Sequence, residues 1–150
     1  MENLIINNWV FENQSLYNIN IEDDLISSLK KVENAKLFGE ETNGYYYLKN
    51  GFRFGFSENK IDEIGIDFSQ TKSSILLVDQ KDSLNLSTSK IHEVLNYLND
   101  KFIIWKPIEN NDSNYLVIKL EKTGIHFIFD IYTGNLDKIG KTNIDNLASS

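Results

Sequence analysis

Apolar side chains alternate with polar or small ones along "GFRFGFSE" (Gly51–Glu58) and again along "GIHFIFDIY" (Gly124–Tyr132). A period of two marks a strand with one buried face. Phe52, Phe54 and Phe56 therefore share a face, as do Ile125, Phe127 and Phe129. Arg53, Gly55 and Ser57 stand on the opposite face of the first strand, and His126, Ile128 and Asp130 on that of the second. Further aromatic or β-branched runs bounded by Gly, Asn or charge read as strands: "GYYYLKN", "KIDEIGIDF", "FIIWKPI", "NYLVIKLEK" and "NLDKIG". "KNG" (Lys49 to Gly51) signals a hairpin. Two stretches change to helical spacing. Ile21, Leu25, Leu29 and Val32 form one stripe, with Asn20 as expected N-cap, acids in the first turn and Lys30 and Lys31 at the end. Ile91, Val94, Leu95, Leu98 and Phe102 form the other, with Ser87 or Ser89 as expected cap.

The order of elements recurs. Gly51, Phe54 and Phe56 match Gly124, Phe127 and Phe129 at one constant offset, and Ile64 and Gly65 match Ile139 and Gly140 after a hairpin two residues longer. The expected fold is α+β: two similar helix-plus-antiparallel-sheet units (α-β-β-β) sharing one core. Residues 1–150 are expected to form a single domain, with internal duplication over about 18–70 and 84–141 as one origin of the recurrence. Convergence on a common hairpin pattern is the competing origin and predicts the same strands. A lone helix on a small sheet is marginal at this size, whereas two units pool their cores.

With 150 residues, 41% hydrophobic and 25% charged, the chain has enough apolar surface to fold. Its net charge of −7 repels phosphate backbones and anionic lipid, so neither nucleic acid nor membrane is an expected partner. The same charge would attract a basic protein, or serve solubility alone. Without Cys there are no disulfides, thiolate nucleophiles or thiolate metal sites. The segment "MENLIINNWVFENQ" lacks a basic n-region and a long apolar run, so a cytoplasmic location is expected.

Motifs for catalysis are missing. Only His92 and His126 could serve as imidazole ligands, and neither belongs to a metal-binding spacing. Gly-x-Ser-x-Gly, P-loop and Gly-x-Gly-x-x-Gly patterns are absent. The expectation is a non-enzyme with no cofactor and no metal. Arg53, the only arginine, stands on the non-core strand face and is either a solvated residue or an interface anchor. Glu40 and Glu41 lie in a Gly-flanked turn that could form an acidic patch. Asp62 and Asp137 match each other and read as hairpin-end residues that solvate a sheet edge.

The stretch "LFGE", a variable turn and "GYYYLKNGFRFGFSENKIDEIGIDF", followed by an analogous second copy, resembles small bacterial immunity proteins of polymorphic and contact-dependent toxin systems. The layout is also similar to tandem helix-plus-sheet folds such as the β-lactamase inhibitory protein and the lipoprotein BamE. Lacking their cysteines, the chain fits a cytoplasmic immunity protein better than a secreted one. The resemblance implies non-catalytic binding to the C-terminal toxin domain of an effector, a basic nuclease being the expected kind, by a protein that is monomeric or dimeric alone. Glu40, Glu41, Arg53, Asp62 and Glu63 are the candidate contacts. The alternative is an adaptor that binds an extended peptide at a sheet edge or self-associates.

Overall fold

The computed structural model describes residues 3–40 and 42–142. The chain runs β1 (Asn3–Ile5), α1 (Asn7–Glu12), α2 (Leu25–Leu29), β2 (Lys36–Gly39), β3 (Asn43–Tyr47), β4 (Phe52–Ser57) and β5 (Lys60–Asp67). It continues with β6 (Ser74–Val78), β7 (Ser83–Asn85), α3 (Ile91–Asp100), β8 (Trp105–Ile108), β9 (Tyr115–Leu120), β10 (His126–Asp130) and β11 (Leu136–Thr142). The fold is mixed α+β and mostly sheet.

An eight-stranded sheet has the order β2-β3-β4-β5-β11-β10-β9-β8. Two four-stranded antiparallel meanders meet at its centre, where β5 and β11 pair antiparallel with Gly65 opposite Gly140. A second sheet, β1-β6-β7, joins β1 parallel to β6 and β7 antiparallel to it. The expected α-β-β-β repeat is therefore not what the chain forms. Each meander has four strands, because Lys36–Gly39 extends the first and Trp105–Ile108 the second, and three other strands make a separate sheet. Pro107, which cannot donate to a ladder, sits in the edge strand β8.

The alternating aromatics form the core. Phe52, Phe54, Phe56, Phe127 and Phe129 are almost wholly buried, together with Ile64, Ile66, Ile118 and Ile139. Trp9 and Val10 of α1, Leu25 of α2 and Val94 and Leu98 of α3 join the same cluster. Both meanders hold a helix start in the same way. Leu25 N–H donates to Asn59 C=O at the β4–β5 turn, at 2.8 Å, and Ile91 N–H donates to Gly134 C=O at the β10–β11 turn, at 2.9 Å. Both also carry a register shift at corresponding places, between Gly55 and Phe56 and between Ile128 and Phe129.

The helices differ from expectation at their ends. Asn20 does not cap α2. Asp24 does, accepting from Ser27 N–H, because Glu22 N–H donates to Ile61 C=O and Asp23 C=O accepts from Ile61 N–H, which holds residues 22–23 against β5 and out of the helix. Lys90 rather than a serine precedes α3, and Glu93 accepts from its backbone N–H, the one half of a capping box that a lysine at this position allows. Phe102 lies beyond α3 instead of in its apolar stripe. Its φ is +59° and it is 91% exposed, while Ile103 N–H returns to Leu98 C=O and closes a Schellman-type end. Among the described residues no helix is long and apolar enough to cross a membrane.

Candidate functional site

The face opposite the phenylalanines follows from the register. Side chains directly opposite one another across a sheet point the same way. One such row crosses all eight strands: Lys36, Tyr47, Arg53, Gly65, Gly140, His126, Lys119 and Lys106. The buried side chains of all three helices belong to the other, phenylalanine-bearing side, so this face stays open.

Its middle is occupied by linked side chains. Arg53 Nη2 contacts Glu63 Oε1 at 2.8 Å, with the two side chains 14% and 16% exposed. The guanidinium carbon lies 5.2 Å from the centroid of the Tyr45 ring, within cation–π range. Burial and the neighbouring Glu63 carboxylate push the Tyr45 hydroxyl above its ordinary pKa. Ser57 Oγ donates to Asp62 Oδ2 at 2.8 Å. Gly55 makes this possible: a Cβ there would stand 3.0 Å from the Tyr45 ring and 3.1 Å from the Asp62 carboxylate.

Beside this group, aromatics come to the surface towards β2. Phe38 is 56% and Tyr45 38% exposed. With Tyr47, Lys36 and Lys49 they line an open cleft of about 670 Å³. A second concavity, of about 420 Å³, lies over the β5–β11 junction between Arg53 and Lys119. His126 projects into it. Burial, followed by the Lys119 charge, lowers its pKa and so favours the neutral ring. Arg53 Nε is buried and has no hydrogen-bond partner, and the position of a Cβ on Gly65 would be 3.6 Å from it.

The candidate residues named from the sequence divide three ways. Arg53, Asp62 and Glu63 come together on the open face, but Arg53 and Glu63 pair with each other and Asp62 with Ser57. Glu40 is exposed at the β2–β3 turn, where its backbone exchanges bonds with Asn43. Glu41 lies outside the described residues. Neither Asp62 nor Asp137 lies at a sheet edge: β5 and β11 are the two central strands. Burial is the main cause that raises the Asp137 pKa. Sequence reasoning missed Phe38 as a face residue because "LFGE" reads as a turn approach, and it missed the lysine row because that row exists only across strands. Among the described residues no group of three or more His, Asp or Glu could hold a metal ion. No known protein family, curated protein or solved structure matches the chain.

Proposed function

We propose that this protein is a non-catalytic binding module of the immunity type, which neutralises the toxin domain of a bacterial effector by docking it on the open face of the eight-stranded sheet. The observation that carries this reading is the pair of exposed aromatics, Phe38 and Tyr45, beside the half-buried Arg53–Glu63 pair. Aromatic and arginine side chains on a preformed surface are the usual anchors of a protein interface. A cytoplasmic setting belongs to the same proposal. We also take the two meanders as copies of one unit, which the matching register shifts and helix anchorages support. An adaptor role is the second reading, favoured by one observation: all four residues of the edge strand β2 are exposed, so its ladder could accept an extended peptide.

The test is capture of the tagged protein from its native lysate at low salt, followed by affinity measurement on the partner that co-elutes. Replacing Phe38 and Tyr45 by Ala together is expected to weaken that complex by about 10- to 100-fold, mainly through a faster off-rate. Thermal stability should change little. Unaltered affinity would reject the open face as the contact surface. Binding of short extended peptides, lost on substitution of β2 alone, would favour the adaptor.

A further inference from the structure

The row across the open face has an unusual charge pattern. Lys106 and Lys119 stand directly opposite each other on β8 and β9, and Lys119 is next to His126 on β10. Like charges placed opposite across a sheet destabilise it. The row continues through two glycines to Arg53, and ends at Lys36 beyond Tyr47. It contains four basic residues and no acid, on a molecule of net charge −7.

The acids around its central concavity offset the row at Arg53 alone. Glu63 is engaged by Arg53 through one nitrogen, and Glu109 is on the rim. Asp67 lines the other cleft, and its carboxylate accepts from Ser69 N–H and Oγ. Among the described residues neither Lys106 nor Lys119 has a carboxylate within 4 Å. Gly65 and Gly140 leave the floor between the two cationic ends without side chains.

We propose that this row is a receptor for carboxylate side chains, one or more Asp or Glu on the protein partner that docks on the open face. It rests on that face being the contact surface. The partner cannot be a polyanion in bulk, because the −7 charge would oppose its approach. An otherwise neutral or basic domain that presents a carboxylate at the contact meets both conditions. Net charge acts over roughly a Debye length of about 8 Å or more, whereas the row acts at hydrogen-bond distance. Lysine and arginine would each give the carboxylate a charge-assisted hydrogen bond.

The full-length chain, labelled for NMR, should be titrated with glutarate at constant ionic strength, with sodium chloride as the matched control. Saturable shifts centred on Arg53, Gly65, Lys119, His126 and Gly140 are expected, with a Kd on the order of 1–10 mM. The double variant K106Q/K119Q should lose about tenfold in affinity while melting no lower than the parent, since it removes a repulsive pair. A response equal to that of chloride, shifts centred elsewhere, or unchanged affinity in K106Q/K119Q would overturn the proposal. The Phe38 and Tyr45 test is separate. If it succeeds while glutarate fails, the face is the interface and the carboxylate receptor is rejected. If glutarate succeeds while the aromatic test fails, the row binds carboxylates, but the docking reading falls and with it the partner's side chain as occupant.

Discussion

Gly65 and Gly140 face each other at the centre of the sheet, yet they are not equivalent. A Cβ on Gly65 would meet Ile139 C=O at 2.8 Å, inside contact distance, whereas one on Gly140 would lie 3.4 Å from Ile64 C=O. Backbone cannot move aside cheaply in a paired central strand. Gly65→Ala is therefore expected to destabilise the protein by about 1–3 kcal/mol, and Gly140→Ala by clearly less. Urea denaturation of the two variants checks the difference, and equal losses would mean that the ladder adjusts there. The sequence marks both positions, because each closes the repeated phrase. Their role as the bare floor of the open face was not legible, since it depends on β5 lying beside β11. Phe52, Phe54 and Phe56 were legible for the opposite reason: their burial depends only on alternation within one strand. Arg53 was found as a face residue, but its pairing with Glu63 needed the register of the hairpin.

Among elements, the ends were the least legible part. Periodicity carried the helical stripe through to Phe102, but the helix stops at Asp100 and Phe102 takes the left-handed position of the end motif. Backbone bonds decide this outcome: Phe102 N–H donates to Asn99 C=O and Ile103 N–H to Leu98 C=O. Glycine is the residue best suited to that conformation, and a phenylalanine that is 91% exposed gains little burial in return. Phe102→Gly is expected to raise stability by up to about 1 kcal/mol, read as a higher thermal midpoint with an unchanged unfolding slope. A fall in stability would show that the Phe102 ring contributes packing beside Ile103 and Ile104. The strands β6 and β7 were missed for two reasons: one partner of "SSILLV", β1, is about seventy positions away, and the other, β7, follows a turn, "DQKD", that contains no Gly or Asn. A parallel pairing of that separation leaves no hairpin signal between its strands. Asp79 and Asp82 at the β6–β7 turn both contact Lys101 after α3, the latter at 2.8 Å, so this small sheet is also tied to the second meander.

At the scale of the molecule, those ties decide whether the two halves are independent. Among the connections that cross between them, β5 pairs with β11, β1 pairs with β6, Asn7 exchanges bonds with the Val78 backbone, and Thr123 Oγ1 donates to Val10 C=O at 2.8 Å across 113 positions. The phenylalanines of both meanders lie in one buried cluster with residues of all three helices. Cutting the chain between Gln70 and Thr71 would expose β5 and β11 as new edges, each flat, apolar on one side and unprotected. It would leave pieces of the size at which a single small core is marginal. The fragments 1–70 and 71–150 are thus each expected to show no cooperative thermal transition alone. Mixed in equal amounts they should regain the sheet signal in circular dichroism, with a midpoint that rises with concentration because folding is now an association. A cooperative melt of either fragment by itself would mean that the duplicated pattern in the sequence corresponds to autonomous units, and that the open face is a seam between two domains. Failure of both to fold alone, with recovery on mixing, would mean that the open face exists only once the halves are joined. The row from Lys36 to Lys106 would then be a property of the whole sheet, assembled at the Gly65–Gly140 junction and carried by neither half.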